Sequence, residues 1–72
     1  MEHIVRTKRK RIVEDYYEEN NLIEGEYISY HDNQNIAIKA YYVRGKKEGV
    51  CITYCKGHYG RIEKRENYVH GR

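Results

Sequence analysis

Six side chains in this 72-residue chain could ligate a soft metal: Cys51 and Cys55, with His3, His31, His58 and His70. A structural zinc site needs such ligands at short fixed spacings, two cysteines on a knuckle and two histidines three to five residues apart. Cys51 and Cys55 come nearest, with three residues between them, but they fall within and at the end of an apparent strand that offers no knuckle. His31 and Cys55 each follow a tyrosine at the start of a turn. In an extended strand, positions four apart are separated by roughly 13 Å, beyond the reach of a disulfide. Both thiols are expected to be reduced, and no metal or cofactor is expected.

Catalysis is not expected either. A cysteine nucleophile needs a neighbouring base and an electropositive site. His58 follows Cys55 by three residues, across a turn, with no carboxylate placed to orient it. Glu18 and Glu19 are adjacent in a charged run, the ordinary composition of a solvated edge. No glycine-rich phosphate loop follows a strand and opens a helix. No catalytic residue is assigned.

The run Arg6-Thr7-Lys8-Arg9-Lys10-Arg11 is the strongest candidate for direct chemistry with a partner. Arg6, Lys8, Arg9, Lys10 and Arg11 could neutralise phosphates, and Tyr16 and Tyr17 could stack on unpaired bases. Two features compete. Lys and Arg on an exposed edge strand also deter sheet-to-sheet aggregation. Residues 1–11 carry five basic and one acidic side chain, whereas residues 12–26 carry six acidic side chains and no Lys or Arg. That acidic block follows at once and would repel phosphate, so nucleic-acid binding stands as the alternative function.

What could position these groups is bounded by composition. A chain of this length makes one domain and buries only about 60% of its unfolded surface. Hydrophobic residues make up 39%, charged residues 35%, and the mean hydropathy is −1.06. Phe and Trp are absent, and nine tyrosines supply all the aromatic mass. A tyrosine hydroxyl needs water or a partner, which suits a thin structure better than a deep core. No apolar run is long enough for a membrane span, and no signal-peptide core follows Met1; a cytoplasmic location is expected.

The arrangement is repetitive. Tyr42-Val43-Arg44-Gly45 returns later as Tyr68-Val69-His70-Gly71, and Lys47-Glu48-Gly49 is foreshadowed at nearly the same interval by Ile23-Glu24-Gly25. Gly25–Tyr30 and Ile36–Val43 are rich in strand formers, with the turn formers 31–35 between them. The same hairpin recurs over residues 49–72, with two extra residues in the segment 56–61, and in part over residues 12–24, where Asn21 stands in the place of Gly45. Period-two alternation puts Ile28, Tyr30, Val50, Ile52 and Tyr54 on one strand face, and Tyr27, Ser29, Cys51, Thr53 and Cys55 on the other. In the second strand of the hairpin Ile36, Ile38, Ala40 and Tyr42 share a face. Ile12, Val13, Tyr16 and Tyr17 would also make the stripe of a short helix, but basic-before-acidic order opposes the helix dipole, and alignment to the later copies favours a strand. The expected fold is all-β, a single-layer antiparallel meander of repeated β-hairpins, with residues 1–11 as a basic N-terminal segment or edge strand.

The stretch 25–49 resembles a MORN-type repeat, in the variant of YwqK-type antitoxin-like proteins and proteins of large DNA viruses. Gly25, Tyr30, Tyr42, Gly45 and Gly49 fill its pattern of Gly-x-x-x-x-Tyr, turn, strand and Tyr-x-x-Gly-x-x-x-Gly, and Gly49, Tyr54, Tyr68 and Gly71 fill it again. Gln34 replaces the usual turn glycine, the third copy carries an insertion, and the chain stops before a closing glycine. About two and a half repeats are covered: partial over 12–24, full over 25–48 and nearly full over 49–72. The resemblance implies a repeat domain over 12–72 that binds rather than catalyses, with antitoxin-like inhibition of another protein as one form.

The preferred expectation is therefore a non-catalytic protein-interaction module. Tyrosine is enriched at interface hot spots. Tyr30, Tyr42, Tyr54 and Tyr68 recur in register and are as well explained by holding the sheet together. Tyr27 and Tyr41 fall on the opposite strand faces and are the aromatic contact candidates, with Arg44 and Lys46 as rim charges. Asp15, Glu18 and Glu19 could mimic nucleic acid toward a basic protein. A homodimer through an open sheet edge or the tyrosine-rich face is a further expectation.

Overall fold

β-Branched residues and tyrosines alternating with polar ones produce strands along almost the whole chain of the computed structural model, which describes residues 1–57 and 60–72. The strands are β1 (Glu2–Lys8), β2 (Arg11–Glu19), β3 (Leu22–Tyr30), β4 (Ile36–Val43), β5 (Lys46–Lys47), β6 (Gly49–Tyr54) and β7 (Ile62–Tyr68). They form one antiparallel sheet in the order β1-β2-β3-β4-β6-β7, with the short β5 also pairing with β4. No helix occurs among the described residues. The segment over Ile12 to Tyr17 is strand, and the basic N-terminal stretch is built into the sheet as its edge strand. The sheet measures 33 × 28 × 12 Å, thick enough for one layer and its side chains, since two packed sheets already lie about 10 Å apart.

Its ladders repeat as the sequence does. Glu14↔Ser29 and Asp15↔Ile28 between β2 and β3 become Ile38↔Thr53 and Lys39↔Ile52 between β4 and β6, each residue advanced by one repeat. Glu18↔Ile23 and Glu19↔Leu22 become Tyr42↔Lys47 and Val43↔Lys46. β5 and β6 are thus together the counterpart of β3. Each hairpin carries an irregularity at the same place, near Thr7 and Ile12, Tyr30 and Ile36, and Tyr54 and Ile62.

Turns between copies are two-residue reversals with left-handed backbone at both positions: Asn20 and Asn21 (φ 52° and 66°), Arg44 and Gly45 (51° and 81°), His70 and Gly71 (53° and 85°). Such turns match the twist of the flanking strands and favour Asn and Gly. Asn21 does stand in for the later glycines. Gln34, in the place of Gly60, is left-handed as well (φ 70° and 76°).

Register decides which faces meet. Cross-strand partners project to the same side, so Ile4, Tyr16, Tyr27, Ala40, Cys51 and Glu66 line up across the middle of the sheet. This row is the core: Tyr16, Ala40 and Cys51 are 7%, 4% and 3% exposed, and they are the buried hydrophobic residues among those described. Tyr27 stands 5.6 Å from Tyr16 and 5.6 Å from Tyr42, ring centre to ring centre. The apolar side of β4 therefore meets the Tyr27–Ser29–Cys51–Thr53 side of its neighbours, while Ile28 and Ile52 flank Lys39 on the opposite face.

Gly45 tests the turn geometry. A Cβ there would sit 3.1 Å from Leu22 Cδ2 on a left-handed backbone. Gly45→Ala is expected to cost about 1–2 kcal/mol and to lower the melting temperature by roughly 5–15 °C. Gly57→Ala, with open space around the new methyl, should change it little in the same thermal melt.

Candidate functional site

The repeated Glu-Gly pair acts between copies. Glu24 Oε2 accepts the Arg44 backbone N–H at 2.7 Å, and Glu48 Oε2 accepts that of His70 at 2.9 Å. Beside them the Gly45 N–H donates to the Ile23 carbonyl and the Gly71 N–H to the Lys47 carbonyl. Each carboxylate holds the turn of the next hairpin in its left-handed form. The recurrence of Glu24 as Glu48 in the following copy is the sequence signal for this role, which residue type alone does not reveal.

Tyr27 belongs to this framework rather than to an exposed surface. It is half-buried between Tyr16 and Tyr42, and its hydroxyl donates to the Glu14 carboxylate. Burial, then that hydrogen bond and the charge of Glu14, push the phenol well above its ordinary range. Tyr42 takes part in the same packing, and Tyr68 lies beneath the Lys47 ammonium, 5.0 Å from the ring centre.

Tyr41 is different. One residue from Tyr42, it faces the other way, pairs with Glu26 and is 53% exposed. It borders a shallow depression of about 250 Å³ whose wall also includes Val50, Ile52 and Tyr54, with Lys39 and Glu26 at the rim. Val50, Ile52 and Tyr54 are the apolar strand face that alternation picks out, and register sets Tyr41 beside them. Arg44 and Lys46 are exposed at the connecting-turn end and do not line the depression. Arg44 has its backbone tied to Glu24, and the Lys46 stem lies against the Gly71 turn.

The acidic candidates are dispersed. Asp15 Oδ1 lies 2.5 Å from His3 Nε2, while His3 stacks on Tyr17 at 4.7 Å. Glu18 and Glu19 sit at the far end of β2, opposite Ile23 and Leu22. Arg6 approaches Glu14 to 3.9 Å, whereas Lys8, Arg9, Lys10 and Arg11 gather at the tip of the first hairpin. Cys51 is buried and Cys55 half-buried, both as free thiols. The pairing of His58 with Cys55 lies outside the described residues. The loop 31–35 is stitched to both neighbours: Arg11 Nη1 donates to the Asp32 carbonyl, Gln34 Nε2 to the Ile12 carbonyl and Asn33 Nδ2 to the Lys56 carbonyl. Among the described residues no helix is long and apolar enough to cross a membrane. No family model, curated protein or solved structure matches the chain.

The Tyr27 phenol sets an alkaline limit. Its folded-state pKa is raised above the unfolded value near 10, so its contribution is complete below pH 10 and is lost as pH climbs beyond it. Tyr27→Phe should cost about 1 kcal/mol at neutral pH, through the lost hydrogen bond. It should also flatten the fall of stability above pH 10, measured by urea unfolding across pH 8 to 11.

Proposed function

We propose that the chain is a non-catalytic protein-interaction module of MORN-like repeats, which binds another protein through the face that carries Tyr41. The carrying observation is the rimmed apolar depression of Tyr41, Val50, Ile52 and Tyr54 on a sheet face with no layer above it. A rigid aromatic beside an apolar hollow, with Lys39 and Glu26 able to pair at the margin, is the composition of an interface hot spot and its polar rim. The partner expected is a protein that inserts an apolar side chain into the hollow. Inhibition of that partner, in the manner of an antitoxin, is the form that the resemblance to YwqK-type antitoxin-like proteins implies. Residue-for-residue repetition of the ladders and turns supports the MORN-like assignment, with Gly45 and Gly71 as its turn glycines. The strand edges β1 and β7 carry Glu2, Arg6, Lys8, Glu63, Lys64, Arg65 and Glu66, charged side chains of the kind that discourage edge pairing and favour a partner on the face over a homodimer through the edge.

Affinity capture from lysate after nuclease treatment tests this, with wild-type and Tyr41→Ala baits side by side. Wild type should retain one stoichiometric protein, and Tyr41→Ala should bind it about 30-fold more weakly, the loss of a hot spot worth about 2 kcal/mol. Equal retention on both baits removes this face from the function, and bound material that disappears with nuclease removes the protein partner.

A further inference from the structure

Hairpin geometry sends every tip to one end of the sheet. The first tip is Arg9-Lys10, the second is the loop 31–35, and the third leaves β6 at Cys55 and returns at Arg61, whose carbonyl accepts the Cys55 N–H at 2.8 Å. Four basic residues, Lys8, Arg9, Lys10 and Arg11, gather at the first tip; Asp32 on the second has its Oδ2 3.4 Å from Lys56 Nζ, on the side away from the first. A groove of about 430 Å³ separates the first tip from the second, lined by Lys8, Arg9, Arg11, His31, Asp32 and Gln34.

The tip turn itself gives independent evidence. Arg9 and Lys10 both adopt left-handed backbone, φ 53° and 65°. The turns between copies meet the same demand with Asn20-Asn21, Arg44-Gly45 and His70-Gly71. Among the described two-residue turns, that at 9–10 has neither an Asn nor a Gly to relieve it, and left-handed backbone costs free energy for long side chains. Strain kept where two cations project from the end of the sheet marks a functional position.

The acidic block 12–26 does not cancel this field once folded. β2 carries it away from the tip: Arg11 and Glu18 are seven residues apart, roughly 23 Å at about 3.3 Å per residue. That is nearly three screening lengths at physiological salt, each about 8 Å. The nearer acids are engaged, Glu14 by Arg6 and the Tyr27 hydroxyl, and Asp15 by His3. Among the described residues no carboxylate oxygen lies within 4 Å of a side-chain nitrogen of Lys8, Arg9, Lys10 or Arg11.

We propose that this end is a phosphate-binding ridge for the backbone of nucleic acid, with Lys8, Arg9, Lys10 and Arg11 contacting successive phosphates without reading bases. A single-layer sheet 12 Å thick presents a narrow line of charge. A duplex major groove, about 12 Å wide, admits a two-stranded ribbon such as the first hairpin. This surface is separate from the Tyr41 face, and either can fail without the other.

Fluorescence anisotropy with a labelled 20-base-pair DNA duplex, and with one of its strands alone, at 50 to 200 mM salt tests the ridge. The decisive variant is Arg9→Asn with Lys10→Gly, which removes two cations and installs the residues that the turn prefers. It should melt at a higher temperature than wild type, yet bind at least about tenfold more weakly, with a salt slope shallower by about 2. Lys8→Gln with Arg11→Gln should weaken binding similarly. Lys64→Gln with Arg65→Gln removes the same net charge from the β7 edge and should stay within about twofold of wild type. Preference for duplex places the hairpin in a groove; preference for the single strand assigns the same phosphate site to unpaired nucleic acid. Three outcomes overturn the proposal: no binding at 50 mM salt, equal loss in the β7 variant, or uptake by phosphatidylserine vesicles with none by DNA.

Discussion

A sheet without a second layer must bury its apolar surface against itself, and the rest of the structure follows from that constraint. Side chains on one face can be covered only by neighbours that lie down along the sheet. Tyr16 and Tyr27 do so across adjacent strands, with Tyr42 beside them, and the small residues Ala40 and Cys51 leave room for larger neighbours to close over the middle. Each aromatic pair contributes about 0.5–1.5 kcal/mol beyond its buried area. Tyrosine fits this task better than phenylalanine because a ring lying across a thin sheet keeps its hydroxyl within reach of water or, for Tyr27, of Glu14.

The repeat is what brings those rings together. Cross-strand partners share a face, so ladders that repeat at a fixed step, such as that from Glu24 to Glu48, return equivalent residues to the same side of the sheet. The longer third copy keeps register because its two extra residues fall between β6 and β7, outside the ladder. The left-handed turns at 20–21, 44–45 and 70–71 fix where each strand begins, and Glu24 and Glu48 hold two of them. Local turn chemistry, carboxylate anchors and cross-strand rings therefore all specify one register.

Much of this is legible in the sequence. Turn formers locate the loop at 31–35, alternation locates the strands, and Asn21 opposite Gly45 signals a left-handed position. The meeting of faces between strands is not legible, because alternation is known within each strand while pairing parity is set by the connecting turn. Spacing from Tyr30 alone puts Tyr27 on an outer face, although Ala40 opposite it places it in the core. The Tyr41 depression is hidden for the same reason: Tyr41 and Val50 lie nine residues apart and become neighbours only through the pairing of β4 with β6. Glu24 and Glu48 read as solvated charges, since an acceptor working on the next hairpin leaves no local trace.

Charge order in the sequence becomes charge order in space by the same geometry. In a meander of hairpins, residues near tips collect at one end whatever their distance along the chain, and residues near connecting turns collect at the other. The basic run 6–11 and the acidic block after it look mutually cancelling as text, yet an extended strand is the least compact way to join them. β2 draws them apart by most of the length of the sheet. Its middle acids turn sideways to Arg6, His3 and Tyr27 rather than back to the tip. One layer thus provides three distinct surfaces: a tyrosine face that holds the fold, an opposite face where Tyr41 stands free, and a ridge of cations at the hairpin tips. Strand parity separates the first from the second, and strand length separates the third from the acids that would otherwise neutralise it.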